Sequence, residues 1–203
     1  MSDFWNQRYA VEEYVFGTEP NAFLAAQARR FVPGQQVLAV ADGEGRNGVW
    51  LARQGLEVLA VDVSPPALDK ARKLAARHGV TLETEQADLF AWEWGENRFD
   101  AVVAIFIQFV PAGGRRRLHQ LMRQALKPGG LILLQGYTPK QLEFKTGGPA
   151  ERDNLYTADD LRSDFAALEI LELRECEREV DEGAGHRGMS ALVEMVARKP
   201  RHS

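Results

Sequence analysis

The stretch Val37 to Gly55, VLAVADGEGRNGVWLARQG, decides how the rest of the chain is read. It opens with an apolar run that suits a buried strand, continues into a glycine-rich turn, and ends in a helical pattern around Gly45–Gln54. The turn Gly43–Gly48, GEGRNG, has the letters G-x-G-x-x-G, and an acid, Asp62, follows at the spacing of a nucleotide-binding unit. Glycines suit such a turn, because the backbone must bend tightly and let a ligand approach with no Cβ in the way.

Outward from this loop, short β-branched runs alternate with helical patterns. Gln35–Val40 and Glu57–Val61 are strands, and Pro65–His78 is a helix with Ala67, Leu68, Ala71, Leu74 and Ala75 on one face. Thr81–Gln86 and Phe99–Phe106 follow as strands. Gly114–Leu126 is a helix ended by Lys127-Pro128-Gly129-Gly130, and Leu131–Tyr137 is the next strand. Such alternation predicts a doubly wound parallel sheet with its ligand at the carboxyl ends of the strands. The tail is different. After a short helix over Asp159–Phe165, capped by Thr157, two strands at Glu169–Val180 and Met189–Arg198 are joined directly by EGAGHRG. With no helix between them, they predict an antiparallel hairpin.

Composition narrows the partners. The chain has 203 residues, 45% hydrophobic and 27% charged, which suits one soluble globular domain with a full core. A formal net charge of −4 argues against a nucleic-acid partner. Arg115-Arg116-Arg117, the one dense basic cluster, reads as a solvated helix face. A single cysteine, Cys176, excludes an internal disulfide or a multi-cysteine metal site and reads as a packing residue; no metal is expected. No apolar run reaches membrane-span length and MSDFWNQRY lacks a signal pattern, so the expected location is cytoplasmic.

The glycine loop alone leaves two adenosyl cofactors open. A dinucleotide would place its pyrophosphate at the helix start, whereas S-adenosylmethionine would place its methionine and ribose there. Asp62 suits the ribose of either, since a carboxylate accepts from both hydroxyls. Gln86-Ala87-Asp88-Leu89 separates them better: Asp88 is placed to accept from an adenine amino group, and the Leu89 N–H to meet a ring nitrogen. FDAVVAIF and LKPGGLILL then follow at the spacing of a fourth and a fifth strand.

With these motifs in order, the sequence resembles the class I S-adenosylmethionine-dependent methyltransferases over about residues 30 to 198. FWNQRY and YVFGTEPNAFL near the start, GEGRN in the loop, YTPKQLEF and TGGP after the fifth strand, and HRGMSALVEMVARK at the end are similar to the tellurite-resistance-related methyltransferases. The resemblance implies an α/β, Rossmann-like doubly wound sheet of seven strands, mostly parallel with an antiparallel C-terminal hairpin. It implies one methyltransferase domain over 1–203, with an N-terminal lid or helical segment at 1–30 and a core at 31–199, acting as a monomer or homodimer. S-adenosyl-L-methionine is the implied cofactor, and a small molecule or small ion, such as a thiol or chalcogen oxyanion, the implied acceptor.

The cofactor-binding set then reads as Asp42, Gly43, Glu44, Gly45, Asp62, Val63, Asp88, Leu89, Ala104 and Ile105. One departure stands out. Class I enzymes usually carry an acid inside the first strand, where this chain has Ala39 and Ala41, so Asp42 or Glu44 is left to meet the cofactor's amino group or simply to charge the next helix start. Gly48 reads as a helix–sheet packing glycine, Arg46 and Asn47 as structural, and Trp92 and Trp94 as loop packing. Trp5, Arg8, Tyr9, Tyr14 and Phe16, too closely spaced for one helix face, read as a lid over the strand ends. Tyr14, Gln141, His186 and Arg187 are the acceptor-site candidates.

Methyl transfer from a sulfonium is an in-line displacement, and a soft anionic acceptor needs no strong base. The sequence offers no evident base, which favours such an acceptor. Two alternatives share the loop: a nicotinamide-dependent oxidoreductase, for which neither a Y-x-x-x-K motif nor a substrate domain is present, and a non-catalytic S-adenosylmethionine-binding protein.

Overall fold

The computed structural model describes residues 2–183 and 185–201. Ala184, inside the turn read as EGAGHRG, and Met1, His202 and Ser203 of the 1–203 domain lie outside the described residues. The chain runs α1 (Ser2–Tyr9), α2 (Ala22–Ala26), β1 (Gln36–Val40), α3 (Arg46–Arg53), β2 (Glu57–Asp62), α4 (Pro65–Arg77) and β3 (Glu83–Gln86). It continues with β4 (Phe99–Ile105), α5 (Ala112–Ala125), β5 (Leu126–Tyr137), α6 (Gln141–Phe144), α7 (Ala158–Asp164), β6 (Glu169–Asp181) and β7 (Arg187–Arg198). The strands form one seven-stranded sheet in the order β3-β2-β1-β4-β5-β7-β6. The predicted α/β fold and its antiparallel end are both present.

Two compact units make up the chain: residues up to Trp92 together with the turn Glu182–Gly185, and Glu93–Asp181 together with the residues from His186 onward. In the first unit β1, β2 and β3 are parallel, with Val40 beside Val61 and Asp62 beside Gln86. The α4 face predicted from spacing is buried as expected, with Ala67, Leu68, Ala71, Leu74 and Ala75 all at or below 4% exposure. Two prolines open that helix, where a missing N–H costs no hydrogen bond.

In the second unit β4 runs parallel to β5, and β7 is antiparallel to both β5 and β6. The Thr157 cap is realised as a full capping box with Asp160. Two local expectations change. The stretch Lys127-Pro128-Gly129-Gly130, read as a helix-ending turn, lies within β5, which begins at Leu126 opposite Phe99 with a register shift before Ala101. Gly129 takes φ +82°, and the backbones of Gly129 and Gly130 pair with Lys199, so a bulged strand replaces a free turn.

The second change is at the start of the chain. Trp5 and Tyr9 stack at 5.6 Å on α1, so aromatics judged too crowded for one helix face form an i,i+4 pair on it.

Candidate functional site

The glycine loop begins where β1 ends. Ala41 takes φ +48°, a left-handed conformation that costs energy for a residue with a Cβ, followed by Gly43 at +57° and Gly45 at +86°. Strain gathered in one short loop is a common mark of a ligand site. Asp62, the last residue of β2, faces this loop. Its Oδ2 accepts the Gly43 N–H at 2.9 Å and its Oδ1 accepts the Ser64 N–H at 2.9 Å. The Val63 N–H also supports this carboxylate, yet burial pushes the Asp62 pKa up overall.

Asp42 takes a structural duty as well. Its Oδ2 accepts the Gly48 N–H at 3.0 Å, in the first turn of α3. Burial, with Asp62 adding to it, pushes the Asp42 pKa up to about 7, even though the Gly48 bond and Arg46 pull it down. A Cβ on Gly48 would lie 2.5 Å from that same Oδ2, so Gly48 makes room for a carboxylate as well as for Leu82. Close helix packing falls on Gly45 instead, where a Cβ would come 2.6 Å from the Cβ of Ala71 on α4.

Glu44 is spent on tertiary structure. It is 3% exposed, its Oε1 pairs with Lys70 Nζ at 2.8 Å, and its Oε2 accepts the Phe16 N–H at 3.3 Å. Lys70 also donates to the Glu13 carbonyl at 2.7 Å. Of the two acids left to replace the missing strand acid, Glu44 thus has both carboxylate oxygens engaged.

Tyr9 is the residue that the sequence underrated. A Cβ on Gly43 would lie 2.8 Å from the Tyr9 hydroxyl, so the ring covers the loop directly. Burial raises the Tyr9 pKa far above the phenol range, and Asp62, Glu44 and Asp42 add to the rise. Three acids thus act on one buried hydroxyl beside Gly43.

The rest of the N-terminal segment is clasped down. Glu182 accepts from Asn21 Nδ2 at 3.0 Å and from the Ala22 N–H at 3.1 Å, and pairs with Arg46 Nη2 at 2.8 Å. Gly185 donates to the Val15 carbonyl at 3.2 Å. Asn47 accepts the Asn21 N–H at 2.9 Å, so Arg46 and Asn47 are structural, as read. Tyr14 packs beside Val49, Leu74 and Ala75 and donates to the Lys70 carbonyl at 2.9 Å; it belongs to this clasp. Asp88 is exposed and accepts the Phe90 N–H at 2.9 Å, while Leu89 is buried.

In the second unit, Ala104 and Ile105 close β4 in buried positions, and Phe106 follows at φ +56°. His186 stacks on Phe106 at 4.4 Å, and Phe106 stacks on Tyr137 at 4.6 Å. The Tyr137 hydroxyl lies 2.7 Å from His186 Nδ1. His186 is thus brought into an aromatic cluster at the strand ends.

The other two candidates in this unit are not in that cluster. Arg187 is 70% exposed in its side chain and pairs with Asp181 at 2.9 Å. Gln141 is buried, accepting the Ala191 N–H at 2.9 Å and donating to Thr146 and the Gly147 carbonyl, so it staples the loop after β5 to β7. The sequence missed Phe106 and Tyr137, whose signal was an aromatic at the carboxyl end of each of two adjacent strands. Cys176 packs against Tyr137, Leu155, Val180 and Leu192, as a packing residue should. Trp94 is 3% exposed and belongs to the core, whereas Trp92 holds Glu85 by its Nε1 at 2.8 Å.

Residues 37–130, which include the strained glycine loop and β4, match the family model described as a methyltransferase domain. By this match residues 37–130 resemble a methyltransferase domain, the family to which the order of motifs points. Domains of that description use S-adenosylmethionine, the cofactor that the motif order implies.

Curated relatives of this chain include an uncharacterised protein of Mycobacterium bovis, 33% identical over 107 residues, 52% of this chain and 38% of that protein. A ribosomal protein L11 methyltransferase of Symbiobacterium thermophilum is 32% identical over 141 residues, 64% of this chain and 43% of that protein. The chain spans about two fifths of the length of these relatives.

Among solved structures, one described by the conversion of a disulfide bond into a thioacetal group during echinomycin biosynthesis aligns with a TM-score of 0.82 at 19% identity, over 100% of this chain and 93% of that one. TehB from Haemophilus influenzae aligns with a TM-score of 0.71 at 19% identity, over 98% of this chain and 66% of that one. The N-methyltransferase NodS from Bradyrhizobium japonicum, in complex with S-adenosyl-L-homocysteine, aligns with a TM-score of 0.75 at 15% identity, over 98% of both chains. At such identities the likeness is one of fold. Among the described residues, no helix is long and apolar enough to cross a membrane.

Proposed function

We propose that this chain is a class I S-adenosylmethionine-dependent methyltransferase that moves the methyl group to a small-molecule or small-ion acceptor that is soft or already anionic, such as a thiolate or a chalcogen oxyanion. In this reading residues 1–203 work as one domain, with 1–30 as a lid and 31–199 as the core, in the cytoplasm, as a monomer or homodimer.

The observation that carries the reading is the acid-lined glycine loop. Asp62 holds the Gly43 N–H at 2.9 Å, and Asp42 stands next in the chain to Gly43. Such a loop favours a cationic ammonium and sulfonium and repels a pyrophosphate. Each Asp62 oxygen already accepts one backbone N–H. An ionised carboxylate has about four lone-pair sites, so capacity remains for ribose hydroxyls. Asp42 is assigned to the amino group, Gly43, Gly45 and Val63 to the loop around the cofactor, and Asp88 and Leu89 to adenine. Ala104 and Ile105 are assigned as apolar lining.

The sulfonium supplies its own leaving group, so the protein's tasks are alignment and exclusion of water. His186, held by Tyr137 and stacked on Phe106, is the group assigned to the acceptor. An imidazole in that setting can hydrogen-bond an anion or take the proton of a thiol. The thioacetal chemistry named for one structural neighbour, and the resemblance to tellurite-resistance-related enzymes, support a sulfur or chalcogen acceptor.

Calorimetry with S-adenosylmethionine and NAD, followed by labelled methyl transfer to thiols, selenite, tellurite and small phenols, tests the reading. Transfer to a phenol or an amine alone would sink the soft-acceptor assignment. Tight S-adenosylmethionine binding with no transfer to any acceptor would favour a non-catalytic binding protein.

A further inference from the structure

Gln108 lies in the loop after β4, 6% exposed. Its carboxamide grips the backbone of Tyr137 at both ends: Oε1 accepts the Tyr137 N–H, and Nε2 donates to the Tyr137 carbonyl at 2.8 Å. The same Nε2 donates to the Asn154 carbonyl at 3.1 Å.

The need for this grip follows from the sheet. The β4–β5 ladder closes with Ile105 opposite Gln135 and the Phe106 N–H on the Gln135 carbonyl. Phe106 then turns to φ +56° and leaves the strand path. Tyr137, two residues further along β5, is 1% exposed and cannot turn to water on that side. The amide of Gln108 takes the place of the missing strand, offering one donor and one acceptor in a plane, and the Tyr156 N–H shares the Tyr137 carbonyl at 3.0 Å. Gly136 makes the approach possible, since a Cβ there would lie 2.9 Å from the Gln108 amide carbon and oxygen.

We propose that Gln108 is a positioning residue for the acceptor site, an amide that substitutes for a strand and aims the Tyr137 hydroxyl at His186. The Tyr137 backbone that it fixes is the one carrying the hydroxyl at 2.7 Å from His186 Nδ1 and the ring stacked on Phe106. The chemistry is specific to a long primary amide. Asn is too short, and an ionised Glu sets an acceptor against two carbonyls, those of Tyr137 and Asn154. A protonated Glu again offers one donor and one acceptor. This role rests on the assignment of His186 to the acceptor, and its test separates the two.

The experiment uses the full chain, with Gln108→Glu and Gln108→Asn, each checked for folding by circular dichroism and thermal melting. Imidazole 15N shifts of His186 are followed from pH 5 to 9, beside steady-state methyl transfer to the best thiol or oxyanion acceptor. The expected result for Gln108→Glu is a changed His186 titration and a kcat lowered roughly ten- to a hundredfold at pH 8, with KM for the cofactor unchanged. The loss should be reversed as the pH falls and the new carboxyl takes a proton. Adding Gln108→Glu to Tyr137→Phe should alter the His186 titration no further.

A folded Gln108→Glu protein with wild-type His186 titration and kcat overturns the proposal. If His186→Ala keeps full activity while the His186 titration still answers to Gln108→Glu, the positioning stands and the acceptor assignment falls.

Discussion

Asp62 and Gly43 are joined by a hydrogen bond of 2.9 Å from the loop N–H to the carboxylate, which ties the end of β2 to the turn after β1. A carboxylate in this position both shapes the loop and remains able to accept from a ligand. Asp62→Ala is therefore expected to weaken S-adenosylmethionine binding by about 2–4 kcal/mol, as two charge-assisted bonds are lost. Asp62→Asn should keep part of the affinity. Calorimetry on folded variants decides it, and normal binding by Asp62→Ala would remove Asp62 from the site.

Asp42 gives the site a pH dependence. Its pKa in the folded protein is pushed up to about 7 from an ordinary value of 3.8, so between those values the folded state holds a proton that the unfolded state has lost. Its contribution to stability therefore falls as pH rises through this window. Binding of a cation runs the other way, because the ionised carboxylate is the form that attracts an ammonium. Cofactor affinity should increase from pH 6 to 8 while the melting temperature of the ligand-free protein declines, and Asp42→Asn should flatten both trends.

Two acids, Glu182 and Glu44, fasten the N-terminal segment. Glu182 holds Asn21, Ala22 and Arg46, and Glu44 holds Phe16 and Lys70. Amide exchange at Phe16 and Ala22 should be slow without ligand and quicken in Glu182→Ala. Any closure on adding S-adenosylhomocysteine should then appear in α1, where Tyr9 covers Gly43. Exchange in α1 that is the same with and without ligand would make that helix a fixed cover.

A buried charge cluster supports the second unit. Asp164, its side chain 2% exposed, lies 2.8 Å from His119 Nδ1 and accepts at 2.8 Å from Nε of Arg115, which is 5% exposed and not on the solvated face expected of Arg115-Arg116-Arg117. Asp164→Ala leaves the Arg115 charge buried without that partner and is expected to cost about 3–5 kcal/mol of stability. Denaturant unfolding measures it. Arg162→Ala, in an exposed pair with Asp159, should fall within about 1 kcal/mol of wild type.

The sequence by itself determined the order of elements, the glycine loop and the antiparallel ending. These are local signals: apolar spacing along α4, the Thr157 capping box, and glycines where φ must be positive each act within a few residues. Tertiary structure alone decided which acid does what. Asp42, Glu44 and Asp62 are similar carboxylates in the sequence, and only the approach of Gly48, of Lys70 with Phe16, and of Gly43 with Ser64 gives them different duties. The same holds for the acceptor candidates. Gln141 and Tyr14 are taken up by backbone groups distant in sequence, whereas His186 meets Tyr137 across 49 positions of chain. Hydrogen bonds between residues so far apart leave no period or spacing to read, because they are set by how strands and loops pack rather than by neighbours along the chain.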